Sequence, residues 1–145
     1  RLLNPLAANC STHSIFHPAY GALHQEADRI LGQPRALVYK GDSGEIEIKP
    51  HADTRLMLLD HDSKREMTLP RSIETRVDSV DFPCVEPLRQ LWRGASDMPY
   101  GLQATLATTA ASLTLLIPNS NLTTAMQQAQ ALWAERDRTK LDPCH

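Results

Sequence analysis

Glu45 and Glu47 stand two residues apart, just past the turn Gly41-Asp42-Ser43-Gly44 and between Lys40 and Lys49. In an extended strand, residues two apart face the same side. Two carboxylates on one face can share a Mg²⁺ ion whose other ligands are waters and a substrate phosphate, the usual way this hard cation is held. Like charges that close repel, so a cation, or the two lysines, must offset them. The plainer alternative is a solvated strand face with Ile46 and Ile48 turned inward. The turn follows an apolar run, Ala36-Leu37-Val38-Tyr39. Loops at the carboxyl ends of parallel strands are where α/β proteins bind ligands. The loop has neither P-loop nor GxGxxG spacing, and a tight turn is its plainer reading.

Other reactive side chains form no set. His13, His24, His51 and His61 lack the spacing of a metal-ligand group. His17 precedes Pro18 and reads as a helix cap. Ser11, Ser43 and Ser72 have no nucleophile-elbow context, and Cys84 has no activating base near it in sequence. Cys10, Cys84 and Cys144 are odd in number, with no CxxC pair, which argues against structural zinc and fits a reduced, cytoplasmic compartment. Lys40, Lys49, Arg55, Lys64, Arg65, Arg71 and Arg76 make the middle of the chain basic. That is either a solvated surface or one that meets a phosphate backbone.

These residues must be positioned by a chain of 145 residues, 41% apolar, long enough for one domain with a real core. Fifteen Lys and Arg against 17 Asp and Glu give a formal charge of −2, so no global attraction to nucleic acid or acidic lipid follows. The chain starts at Arg1, and Leu2-Leu3-Asn4-Pro5-Leu6 reads as mid-domain sequence with no signal peptide. The expectation is a piece of something longer.

Ser14-Ile15-Phe16 is a short apolar run before Pro18, which fits a helix start. Ala19, Leu23, Ala27 and Ile30 recur at helical spacing, with Gly32 as a C-cap. Ala36 to Tyr39 then predicts a buried strand, so the order is strand, helix, strand, the unit of a parallel α/β sheet. Glu45 to Ile48 alternates with period two and predicts a half-buried strand. Leu56 to Leu59 predicts another, and Lys64 to Leu69 could pair back on it. Arg71 to Pro83 reads as loop. Pro87 to Trp92 predicts a short helix ended by Gly94. Ser96 or Asp97 caps a long one that begins near Pro99, and a last helix carries Leu122, Met126, Ala129 and Trp133 on one stripe. No residue from Met98 through Ala134 is charged. Thr and Gln interrupt that stretch, so it reads as a buried core helix rather than a membrane span.

The ordered motifs resemble the glycosyltransferase family 3 proteins that include anthranilate phosphoribosyltransferase. Arg1-Leu2-Leu3-Asn4-Pro5-Leu6 is similar to a shortened Arg-Thr-Ile-Phe-Asn-Leu-Leu-Gly-Pro-Leu segment. Leu37 to Glu47 looks like the family's strand ending in Gly-x-Asp-Gly-Leu-Asp-Glu. Leu91-Trp92-Arg93-Gly94 falls at its Val-Leu-x-Gly, and Thr108-Thr109-Ala110-Ala111-Ser112-Leu113 at its Asn-Ala-Ala-x-x-Leu. Phe16-His17-Pro18-x-Tyr20, Lys40-Gly41-Asp42-x-Gly44-Glu45-x-Glu47 and Leu91 to Gly94 look most like the YbiB-like branch.

The resemblance implies that residues 1–145 are the second half of a phosphoribosyltransferase-like (nucleoside phosphorylase-type) α/β domain, a mostly parallel sheet flanked by helices. A helical N-terminal domain with a homodimer interface, and the pyrophosphate loop, would precede it. The resemblance implies transfer from phosphoribosyl pyrophosphate with Mg²⁺. It makes Lys40, Gly41 and Asp42 the candidate substrate-binding residues and Glu45 and Glu47 the candidate metal ligands. On the simplest alignment Glu47 takes the family's Glu, but Ile46 stands where its Asp would be, with Glu45 one residue early. That departure argues against anthranilate as the acceptor. A non-catalytic, nucleic-acid-binding relative that keeps the fold is the alternative.

Overall fold

The computed structural model describes residues 4, 6–41, 45–75 and 85–141. Its elements are β1 (Cys10–Ser14), a 3-10 turn (Pro18–Tyr20), α1 (Gly21–Ile30), β2 (Arg35–Tyr39), β3 (Thr54–Asp60), β4 (Ser63–Leu69), α2 (Glu86–Arg93), α3 (Pro99–Leu116) and α4 (Leu122–Ala134). The predicted loop from Arg71 onward, Cys84 and Cys144 lie partly or wholly outside the described residues.

The four strands form one sheet in the order β1-β2-β3-β4. β2 is buried on both faces, which is why its four apolar residues run without alternation. Leu37 and Tyr39 face α3, clustering with Ile48, Leu56, Leu58, Ala107, Ala111 and Leu115. Val38 meets Ile15 and Met57. β1 and β2 are parallel, joined by the crossover through α1, while β3 and β4 each run antiparallel to the strand before. The α/β class and the flanking helices are as expected. The parallel character expected of most of the sheet is confined, among the described strands, to β1 and β2. The long loop after β2 returns the chain beside that strand, with no helical crossover to reverse it. β4 closes on β3 through His61 and Asp62, with Asp60 opposite Ser63 and His61 at φ 52°.

Two local expectations are corrected. β1 starts at Cys10 and ends at Ser14, ahead of the apolar run expected to form it. Ile15 follows β1, donating its N–H to the Tyr39 carbonyl at 3.0 Å. α1 forms as expected but does not bury its apolar stripe. Leu23 and Ile30 are 64% and 71% exposed, while Gln25 and Asp28 are buried. The polar face wins because its groups find partners: Gln25 Nε2 donates to the Leu58 carbonyl at 2.8 Å, and Asp28 Oδ1 lies 3.0 Å from His13 Nε2. At the surface, Glu26 bridges Arg29 and Lys64, and the hydrogen bond from Arg29, then that from Lys64, holds its carboxyl down at about 2.

α3 packs on two sides, with Ala107, Ala111 and Leu115 against the sheet and Leu106 and Ala110 against α4. Burial on two sides explains its uncharged sequence. No helix among the described residues is long and apolar enough to cross a membrane. Gly94 ends α2 at φ 77°, a left-handed position that glycine takes without strain. Asn121 caps α4 by accepting the Thr124 N–H at 2.9 Å. His17 caps the 3-10 turn as expected, its Nδ1 accepting the Ala19 N–H at 3.2 Å.

The Tyr39 hydroxyl is buried and has no hydrogen-bond partner among the described residues. Burial, with the Glu47 charge adding to it, pushes this phenol up to about 12. An unfolded tyrosine ionises near ~10. Between those values the folded chain keeps a proton that the unfolded chain has lost. Stability is therefore complete below pH ~10 and falls as pH rises toward ~12. Tyr39→Phe should remove this share of the alkaline loss and leave the protein as stable, or about 1 kcal/mol more stable, at neutral pH. Urea melts of both proteins at neutral and alkaline pH would show it; equal alkaline losses would contradict the account.

Candidate ligand-binding cleft

The cleft is made by the way the chain leaves β2. Gly41 is buried, and its N–H donates to Ser14 Oγ at 3.2 Å. A Cβ there would stand 1.8 Å from the Glu45 carbonyl oxygen and 2.6 Å from Ser14 Oγ. Only glycine lets the chain fold back so tightly on the end of β2. Beyond it, the Ile48 N–H donates to Thr108 Oγ1 on α3 at 3.0 Å, and the Ile48 side chain is 1% exposed in the core. The Pro50 carbonyl accepts the N–H groups of Ser72 and Ile73 at 2.8 and 3.0 Å. The loop is thus pinned along its length without being a strand.

That corrects the expected strand over Glu45 to Ile48: residues 45–49 hold no regular structure. The physical reason is that the Ile48 N–H is taken by a side chain of α3, not by a neighbouring strand. Ile46 is 51% exposed, and only Ile48 turns inward. Glu45 and Glu47 are both exposed. Strand geometry therefore does not place their carboxylates on one face. Glu47 does lie close enough to Tyr39 for its charge to act on the phenol. Among the described residues no group of three or more His, Cys, Asp or Glu converges to hold a metal. Mg²⁺ needs fewer protein ligands, since waters and phosphate oxygens complete its shell. Two exposed carboxylates on a pinned loop have the hard oxygen donors it takes.

Between the loop and the sheet lies a cleft of about 310 Å³, at the carboxyl ends of β1 and β2 and the start of β3. Ile15, Pro18, Val38 and Met57 supply apolar lining, and Lys40, Lys49, Arg55 and His51 supply polar lining. Asp53 is the one carboxylate residue lining it among the described residues; its Oδ1 accepts the Arg71 N–H at 2.9 Å. Arg55 is held by Glu66 through hydrogen bonds of 2.5 and 2.7 Å, which raise the guanidinium and lower the carboxyl from their ordinary values. Of the expected substrate residues, Lys40 lines the cleft, Gly41 shapes it from below, and Asp42 lies outside the described residues. Glu45 and Glu47 stand beyond its lining.

Sequence reasoning missed His51. Its ring lies tilted against Tyr100, centroids 6.0 Å apart and planes 30° apart, and its Nδ1 is buried without a hydrogen-bond partner among the described residues. Ten residues separate Lys40 from His51 in sequence, and only the returning loop brings them to one cleft. It also missed the group Ser11, His13 and Asp28. Ser11 Oγ and Asp28 Oδ1 both approach His13 Nε2, at 3.2 and 3.0 Å. A nucleophile-base-orienter relay needs the two ring nitrogens to face different partners, so this is not one.

An anthranilate phosphoribosyltransferase from Syntrophobacter fumaroxidans is 34% identical to this chain over 79 residues. The chain is similar to phosphoribosyltransferases. The matched stretch is 50% of this chain and 23% of that enzyme's length. No family model matches the chain. The mixed sheet flanked by helices is consistent with a phosphoribosyltransferase-like fold.

Gly41→Ala should cost about 2–4 kcal/mol, because the new methyl meets backbone that cannot step aside. Ser14→Ala, which removes the hydrogen bond from the Gly41 N–H, should cost only about 1 kcal/mol. Paired urea melts measure both. Equal losses would mean that the Glu45 carbonyl does not crowd Gly41.

Proposed function

We propose that this chain is the C-terminal part of a phosphoribosyltransferase-like protein and that its cleft binds the phosphate groups of phosphoribosyl pyrophosphate or a related phosphosugar. The observation that carries this is a cleft at the carboxyl ends of two parallel strands, lined by Lys40, Lys49 and Arg55. Cations on a fixed frame suit a ligand whose charge sits on phosphate oxygens. Asp42, next to Gly41 in sequence, belongs to the same proposed binding loop. Glu45 and Glu47 would hold Mg²⁺, which supplies positive charge to a departing pyrophosphate. The chain's own part is to position: the Gly41 turn fixes the loop, and the lysines hold the phosphates. Similarity to an anthranilate phosphoribosyltransferase supports the donor. Ile46, at the family's Asp position, points to an acceptor other than anthranilate. A helical domain upstream would carry a homodimer interface. The transfer reaction belongs to that longer cytoplasmic protein.

Titration calorimetry of the full-length protein with phosphoribosyl pyrophosphate should show binding that Mg²⁺ strengthens. Lys40→Ala and Lys49→Ala should each weaken it about tenfold, the worth of one charge-assisted hydrogen bond. Glu47→Ala should remove the Mg²⁺ effect. No binding at millimolar ligand would sink the proposal. Salt-sensitive retention of single-stranded DNA in its place would favour a nucleic-acid-binding relative that keeps the fold.

A further inference from the structure

A second cavity lies on the far side of α3. Trp92 of α2 and Trp133 of α4, the two tryptophans of this chain, meet edge to face with ring centroids 5.7 Å apart. The Arg136 guanidinium carbon sits 3.9 Å from the Trp133 centroid and 5.8 Å from that of Trp92. Carbonyl oxygens of Trp92, Trp133 and Leu91 fix it, accepting at 2.7, 2.6 and 3.3 Å from three different nitrogens. Each terminal nitrogen of Arg136 keeps a further N–H. These rings and Thr109 line a notch of about 140 Å³. A cavity of ~150 Å³ takes one benzene ring.

Charge beside the notch, near Gly94, says what kind of ring. A Cβ on Gly94 would have Arg138 Nη1 at 3.4 Å and Arg136 Nη2 at 3.6 Å, so two guanidinium groups converge on one point. Neither is ion-paired with a carboxylate among the described residues. Asp137, between the two arginines, is occupied by Thr139, accepting from its N–H and hydroxyl at 2.9 and 2.7 Å, and Glu135, also next to Arg136, makes no ion pair with either among the described residues. Burial, and then the Arg138 charge, lowers the Arg136 guanidinium from its ordinary value. An anion between the two would relieve that repulsion.

We infer that this notch binds a small aromatic anion, one planar ring bearing a carboxylate or a phosphate. The ring lies against the indoles, and the anionic group meets Arg136 and Arg138. The inference does not rest on the phosphosugar cleft, which is lined by other residues.

Both tryptophans sit at the site, so intrinsic fluorescence reports it directly. Titration with benzoate or phenyl phosphate should give saturable quenching at about millimolar concentration or below. Acetate, which lacks the ring, and benzyl alcohol, which lacks the charge, should bind at least about tenfold more weakly. Arg138 is exposed, so Arg138→Glu should keep the far-ultraviolet circular dichroism and the Tm while weakening both aryl anions at least about tenfold. The stronger of the two aryl anions identifies the preferred acid group. Unsaturable quenching, equal binding of acetate, or an unchanged Kd in Arg138→Glu would overturn the inference.

Discussion

The close approach of the Glu45 carbonyl to Gly41 is the constraint on which the cleft depends. Backbone meets backbone there, at a distance no side chain tolerates. The chain leaving β2 cannot continue outward as a crossover helix would. It doubles back, sends Ile48 under α3, and enters β3 antiparallel to β2. One glycine thus permits the tight approach that forms a wall of the cleft at the end of the parallel pair. Ser14, from the end of β1, supports the same point through its hydroxyl. The first strand is therefore tied to the loop that the second strand launches.

What could be read from the sequence divides along a physical line. Ala36 to Tyr39 was legible because a strand buried on both faces must be apolar throughout. The long helix was legible for the same reason, since α3 is covered by the sheet and by α4. α1 was legible as a helix but not in its orientation. Its stripe of Leu23 and Ile30 satisfies a helical period, and period alone cannot tell which side meets the sheet. Gln25 and Asp28 decide that through specific partners on β3 and β1, which only the fold supplies.

The candidate site was legible in position and not in shape. Lys40 and Gly41 were found because they follow a recognisable strand. Glu45 to Ile48 alternates as a strand does, yet takes no strand partner, because one hydroxyl on α3 satisfies the N–H that a ladder would need. Alternation signals one inward and one outward residue; it does not require a neighbour. His51 was invisible, since nothing near it in sequence marks a ring held on Tyr100, a residue of α3.

The groups that build the cleft and the groups that charge it are different residues, and this follows from solvation. A buried charge is costly unless paired, so the frame is made of glycine, a serine hydroxyl, a threonine hydroxyl and apolar side chains. The cations stand where water reaches them: Lys40 is exposed, and Arg55 keeps Glu66 as an exposed partner on the neighbouring strand. Exposed pairs contribute little to stability. Changes at the charged rim therefore leave the fold standing, whereas changes at Gly41 or Ile48 reach the core. The tryptophan notch divides differently. There Arg136 is bound into the frame by three carbonyls, and the exposed Arg138 adds charge without holding anything together. In both places the outermost cation stands on geometry that other residues fix.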